Sequence, residues 1–261
     1  MSELNNSKND SNFGYKKVTE TEKVSLVNNV FTSVTSRYDL MNDLMSFGTH
    51  RLWKKYFLLC SNIKKGEVVL DLASGTGDVT KLASEAVGET GSVVSCDINF
   101  AMLNQGRENL INKGFIKNIF YVQSDAQHLA FKENSFDHVT MAFGLRNTAN
   151  IEKALESIHS ILKPGGSIQI LEFSKAEKLI EKPYKVFLNN FVPFLGKYVA
   201  KDEKSYKYLA ESIQMHPSQK ELITLMESSK FEKCKYNNLS FGVVSIHLSL
   251  IHISEPTRLV S

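Results

Sequence analysis

Cysteine is scarce: Cys60, Cys96 and Cys234 are the three in the chain, far apart and without a CxxC spacing. That pattern supports neither a disulfide framework nor a zinc site, and makes a reducing cytoplasm the default compartment. Long apolar runs are missing too; nothing approaches the roughly 18 residues a membrane-spanning helix needs. Charge of one sign is also lacking, since 31 Lys and Arg face 28 Asp and Glu for a formal net charge of +3. Such a balance is too weak to imply nucleic acid, yet would not repel an anionic membrane surface. The opening MSELNNSKNDSN has no apolar core of a signal peptide and reads as a disordered tail over residues 1–12. What remains is an ordinary composition, 42% hydrophobic and 23% charged over 261 residues, enough for one medium α/β domain with additions.

The chain is organised around VVLDLASGTGD, Val68 to Asp78. Val68, Val69, Leu70 and Leu72 predict a buried parallel strand, and it runs without a spacer into Ala73, Ser74, Gly75, Thr76 and Gly77. A strand that breaks into glycines brings bare backbone N–H groups against a ligand, with Asp71 available to accept hydrogen bonds or face a positive charge.

Residues 13–60 are expected to be mostly helical, because Val24, Leu26, Val27, Val30, Phe31 and Val34 give a helix one apolar face. The segment Tyr38 to Phe57 then mixes large apolar residues with Asp39, Asn42, Asp43, His50 and Arg51. It reads either as a helix hairpin packed on the core or as a flap that sets Met41, Leu44, Met45, Phe47 and Trp53 against an apolar ligand. After the glycine turn, helix Val79 to Val87, strand Ser92 to Cys96 closed by Asp97, helix Met102 to Leu110, strand Ile119 to Gln123 and strand Phe136 to Ala142 follow. A helix over Glu152 to Leu162, a tight KPGG turn at Lys163 to Gly166 and a strand over Ser167 to Phe173 come next. Ala176 to Val199 is aromatic and basic, either an ordinary helix or a pocket wall near a membrane surface. Two more helices, Ser205 to Met215 and Ser218 to Lys230, and closing strands over Cys234 to His247 complete the chain. The alternation predicts a doubly wound, mostly parallel Rossmann-like sheet with helices on both faces, a helical cap over residues 13–60 and an inserted helical lid over 176–230.

Asp97 lies about twenty residues past the glycine turn, where a carboxylate at the end of a second strand receives ribose hydroxyls. A dinucleotide loop would carry Gly or Ala where this chain has Thr80, and no GK[ST] follows the glycines. Asp71 suits a cationic end better than a pyrophosphate, which it would repel. Together Asp71, Ala73, Gly75, Thr76, Gly77, Asp97, Asp125, Ala126 and Ala142 resemble the S-adenosylmethionine site of class I methyltransferases. In that resemblance the loop backs the methionine part, Asp97 takes the ribose, and Asp125 with Ala126 borders the adenine.

Four further stretches, YDLMNDLMSFGTHRLW, FGLRN, LKPGGSIQILEFS and SYKYLAESIQMHPSQ, resemble the ubiquinone/menaquinone biosynthesis C-methyltransferases from about Phe13 to His247. The resemblance implies methylation of a ring carbon of a polyprenylated hydroquinone, giving menaquinol from its demethyl precursor or performing the corresponding benzoquinol step, without a metal. Such chemistry needs the acceptor held in line with a sulfonium methyl donor and its phenolate character stabilised. Arg146 is the candidate stabiliser, with Asn147 positioning it and a structural ion pair as the plainer role for Arg146. Tyr206, His216 and His50 are candidates for binding ring hydroxyls or acting as base. Expected partners are the quinol substrate and, peripherally, the inner face of the cell membrane, with a homodimer or quinone-biosynthesis complex left open and no nucleic acid. The rival readings are a methyltransferase of another small aromatic or lipid, and a nonenzymatic quinone- or lipid-binding module.

Ser74 stands in place of a loop glycine common in that family, Ala142 where relatives can carry serine, and His159-Ser160 where an arginine is usual. Leu248 to Arg258, LSLIHISEPTR, resembles one translated frame of a transposase adapter used in sequencing libraries, so residues 248–261 are expected to be an artefact.

Overall fold

The computed structural model describes residues 10–200 and 202–251. Most of the expected tail, and the expected adapter-like end from residue 252 onward, lie outside that range. Residues 10–19 depart from both the expected tail and the expected helix. They form a hairpin of β1 (Asp10–Phe13) and β2 (Lys16–Thr19), turning at Gly14 with φ +58°. Local pattern does not make this hairpin. Phe13 stacks on Tyr208 with ring centroids 4.1 Å apart, and Ser11 Oγ donates to Ala149 O at 2.6 Å.

The helical cap begins one residue later. Thr19 and Glu22 close a capping box that starts α1 (Glu20–Val34), and a short turn of 3-10 helix leads to α2 (Tyr38–Ser46). Phe47 and Gly48, at φ +50° and +74°, end α2 and redirect the chain into α3 (His50–Leu59).

The central sheet has seven strands in the order β5-β4-β3-β6-β7-β9-β8. Strands β3 (Val68–Leu72), β4 (Ser92–Asp97), β5 (Ile119–Gln123), β6 (Phe136–Ala142) and β7 (Leu162–Phe173) pair in parallel. Strand β9 (Val244–Leu250) runs antiparallel to both β7 and β8 (Glu232–Leu239). The chain winds outward in one direction from β3 and in the other from β6, so a crevice opens between their C-terminal ends.

Alternation along β3 explains how both faces are covered. Leu70 and Leu72 pack with Leu155, Ile158 and Met226, from α6 (Ile151–Ile161) and α10 (Gln219–Ser228), while Val69 packs with Ala83 and Val87 of α4 (Asp78–Val87). A separate apolar cluster joins Val34 and Met41 of the cap to Leu188, Val192, Tyr206, Leu209 and Ile213. It binds the lid, α7 (Lys178–Val186), α8 (Val192–Leu195) and α9 (Glu203–Met215), to the cap, with Phe173 at the end of β7 packed against it.

Two smaller expectations are revised. The KPGG segment is a loop-out inside β7: Phe136 pairs with Leu162 and His138 with Ser167, so Lys163 to Gly166 bulge from the ladder. The last strand does not stop at His247, because Leu248, Ser249 and Leu250 pair with Gln169, Ile168 and Ser167.

Candidate active site

The crevice between β3 and β6 is shaped by backbone that few side chains tolerate. Ala73, Gly75 and Gly77 take φ of +55°, +54° and +88°. A Cβ on Gly77 would meet Leu110 Cδ1 at 2.9 Å, and one on Gly144 would overlap Ala73 Cβ. Ser74 stays out of the left-handed region, and its Oγ accepts from Ser95 Oγ at 2.9 Å, so the missing loop glycine is replaced by a tie to β4. The loop is pinned at its tip, where Gly75 N donates to Asp97 Oδ2 at 2.9 Å. Asp97 Oδ1 accepts from Asn99 N at 2.8 Å, and burial pushes the Asp97 carboxyl up to about 6.

Asn99 does more than follow Asp97. Its Oδ1 caps α5 (Phe100–Asn112) by accepting from Met102 N, and its Nδ2 reaches Asn28 O, Asn28 Oδ1 and Thr32 Oγ1 at 3.0, 2.7 and 2.8 Å. Helix α1 is thereby laid across the crevice as a roof. The cavity beneath it is lined by Ala73, Gly75, Asp97, Asp125, Ala126 and Ala142 from the sheet side and by Val27, Asn28 and Phe31 from the roof. No Lys or Arg is among its described lining residues. Two carboxylates without a cation repel a diphosphate and attract a sulfonium or ammonium. Gln127 Oε1 is buried there without a partner, an acceptor left for a ligand donor.

A second, smaller cavity of about 30 Å³ lies beside the first and shares Phe31, Tyr38, Phe143 and Asn147 with it. Met41, Met45, Phe173 and Leu209 supply apolar wall, and polar side chains share the lining: Asn42, Ser46, Asn147 and Ser205, with Arg146, His50 and Tyr208. Its volume is that of a water rather than a ring. Arg146 makes the structural ion pair anticipated as its plainer role. Its Nη1 donates to Glu172 Oε1 at 2.7 Å and to Phe143 O at 2.6 Å, while its Nε is buried with no partner. Asn147 Oδ1 accepts from Tyr208 Oη at 3.0 Å, which fixes the tyrosine at the cavity wall.

Five expected residues fall outside both linings. Asp71 turns away from the crevice, because it occupies the same face of β3 as Val69, beneath α4. There it accepts from Thr80 Oγ1 at 2.6 Å and Thr140 Oγ1 at 3.0 Å. Thr76 donates to Asp39 Oδ1 at 2.9 Å and so anchors α2 to the loop, while Gly77 supplies the turn into α4. Tyr206 is sealed in the cap–lid cluster at 1% exposure. His216 lines a shallow cleft with Lys175 and Glu221, and burial, with Arg146 next in weight, pushes it down to about 3. Of the flap residues, Met41 and Met45 reach the second cavity, but Phe47 is 77% exposed and Trp53 ties to Ser240 Oγ instead.

Burial also pushes Asp71 up to about 7. A carboxyl that is harder to ionise folded than unfolded contributes stability below about pH 4, and loses it as pH rises through about 7. Asp71→Asn is therefore expected to gain on the wild type as pH goes from 5 to 8, read as the difference in urea midpoints without cofactor. Equal differences at both pH values would contradict a strained carboxylate.

The chain matches the model of the ubiE/COQ5 methyltransferase family over residues 16–251. It is 53% identical over 238 residues to the ubiquinone/menaquinone biosynthesis C-methyltransferase UbiE of Pseudoalteromonas translucida, covering 91% of this chain and 95% of the relative. The protein of the same name from Haemophilus ducreyi is 51% identical over 244 residues, covering 93% and 94%. Among solved structures, a SAM dependent methyltransferase from Aquifex aeolicus superposes with a TM-score of 0.60 at 19% identity, covering 82% of this chain and 97% of that one. A phosphoethanolamine N-methyltransferase from Haemonchus contortus gives 0.58 at 15% identity, covering 77% and 52%. These likenesses show the class I methyltransferase fold.

Proposed function

The chain belongs to the ubiE/COQ5 methyltransferase family, and from that premise we propose that it is an S-adenosylmethionine-dependent C-methyltransferase of a polyprenylated hydroquinone, acting in ubiquinone or menaquinone synthesis. The observation that carries this reading is the pair of adjoining cavities, one acidic and free of cations, the other apolar with Arg146 in its wall.

When bound, S-adenosylmethionine supplies an electrophilic methyl on a sulfonium. Asp97 is placed to accept the ribose hydroxyls, since its two oxygens accept backbone N–H groups from Gly75, Ile98 and Asn99 and have capacity left. Asp125 is held by Gln127, whose N donates to Asp125 Oδ1 at 3.0 Å, and the two close the far end of the first cavity. Phe31, Tyr38 and Phe143 form the shared wall that holds an aromatic acceptor next to the donor and excludes water. Arg146 Nε has a free N–H for a ring oxygen, so it favours the phenolate over the phenol and raises the electron density at the ring carbon.

A membrane-surface location suits a lipid-soluble acceptor. No described helix is long and apolar enough to cross a membrane. Leu179, Val186, Phe194 and Tyr198 are exposed on the lid beside exposed Lys182, Lys185 and Lys197, a composition that favours an anionic interface.

The test is methyl incorporation from labelled S-adenosylmethionine into demethylmenaquinol and the methoxy-benzoquinol precursor, assayed side by side. Turnover of at least one is expected. A cofactor-dependent rise in melting temperature with neither quinol methylated would point to another aromatic acceptor, and no rise at saturating cofactor would favour a binding module.

A further inference from the structure

The apolar cavity contains a second group with unused hydrogen-bonding capacity. His50, 4% exposed, begins α3, and its Nε2 lies 2.9 Å from Asp43 Oδ1 on α2. A carboxylate only accepts, so Nε2 carries the hydrogen and Nδ1 keeps a lone pair. That Nδ1 is buried without a partner, on a residue that lines the cavity together with Arg146. Orphaned buried nitrogens are rare. Here one obligatory donor, Arg146 Nε, and one obligatory acceptor, His50 Nδ1, belong to residues lining the same cavity, and neither has a protein partner.

We infer that His50 is the general base that takes the acceptor's hydroxyl proton, with Asp43 as the residue that positions it. This rests on the quinol-methyltransferase reading given above. The proton passes from the ring oxygen to Nδ1, and the O–H electron pair stays on the oxygen, where Arg146 opposes it with positive charge. Those electrons feed the ring carbon as it forms its bond to the methyl and the carbon–sulfur bond breaks towards sulfur. The ring carbon then sheds its own hydrogen as a proton to water, and the ring oxygen recovers the proton held by His50. One proton is released per methyl transferred.

The surroundings fit a base rather than a permanent cation. Burial lowers the proton affinity of His50, Lys54 adds to that, and Asp43 and Asp78 oppose it. Asp43 is itself held below the usual carboxylate range, first by its hydrogen bond to His50. It also accepts from Arg51 Nη2 at 2.7 Å, so it remains partnered when the imidazole is removed.

His50→Gln and His50→Ala, assayed with whichever quinol the wild type methylates, are expected to lose about 100-fold or more in kcat. The cofactor-induced rise in melting temperature is expected to persist, and imidazole to restore part of the turnover of His50→Ala. Asp43→Asn is expected to lower kcat without raising the acceptor KM, and Asp43→Glu to recover part of the loss. A readout independent of turnover is the naphtholate absorbance of 1-naphthol added to cofactor-free protein, which should fall towards that of free naphthol in His50→Gln. Turnover within about threefold of the wild type, a loss that imidazole leaves unchanged, an equal naphtholate fraction in both proteins, or loss of the cofactor response in both His50 variants would each overturn the role. A wild type inactive on every quinol would instead refute the quinol reading itself.

Discussion

Glu172→Ala is expected to cost about 3–5 kcal/mol of folding stability, because it strands a buried guanidinium. The Arg146 and Glu172 side chains are 5% and 0% exposed. Glu172 Oε1 accepts from Arg146 Nη1 at 2.7 Å and from Phe173 N at 2.9 Å, and Oε2 from Arg146 N at 3.2 Å. One carboxylate therefore secures the segment after β6 to the end of β7. Chemical denaturation of the purified variant measures the loss. Replacing both partners by methionine, Arg146→Met with Glu172→Met, removes the stranded charge and is expected to recover part of it, the backbone N–H groups of Arg146 and Phe173 remaining without their acceptor. That double variant should still be inactive. Recovered stability without recovered turnover separates the architectural role of Arg146 from its chemical one.

Gly106→Ala is expected to weaken cofactor binding more than its small size suggests. The glycine lies inside α5, where alanine by itself would gain about 0.5–1 kcal/mol. A Cβ at this position, however, would stand 2.5 Å from Gly75 O, 3.2 Å from Thr76 C and 3.3 Å from Gly77 N. Those are backbone atoms of the cradle and cannot rotate aside. Overpacking of this kind costs about 1–3 kcal/mol, so the clash outweighs the helical gain. Because Gly75 lines the first cavity, the strain falls on the ligand site. Calorimetric titration with S-adenosylmethionine is expected to show roughly tenfold or greater weakening, while Gly114→Ala, which at φ +83° costs stability but lies outside both cavity linings, should leave affinity unchanged.

The donor cradle was readable from sequence because it is local. Strand, glycine turn and Asp97 fall within about 30 residues of one βαβ unit, and each has a residue-type signature. The acceptor cavity was only partly readable, since its lining comes from α1, α2, α3, the Arg146 segment, β7 and α9, and no spacing rule links them. Even so, phase would have separated two tyrosines. On α9, Tyr206 falls in step with Leu209, Ala210 and Ile213, the buried apolar stripe, whereas Tyr208 falls in step with Ser205 and Ser212 and reaches the cavity. Asp71 was misplaced for a similar reason. Strand alternation puts it opposite Leu70 and Leu72, on the face where Thr80 waits, and no longer at the ligand. The hairpin over residues 10–19 had one local cue, Gly14; its partners, Ala149 and Tyr208, lie far away in sequence.

The amide of Asn99 ties the turn after β4 to the roof helix α1. Its two hydrogens serve three acceptors on α1, so about two bonds hold at any moment, each contributing about 1 kcal/mol net. That contribution of about 2 kcal/mol adds to the buried Val27 and Val34 and to the bonds of Glu20 with Lys153 and Ser33 with Asp202, which hold the same helix. Phe31 of α1 lines both cavities, so the position of one helix sets the shape of both at once.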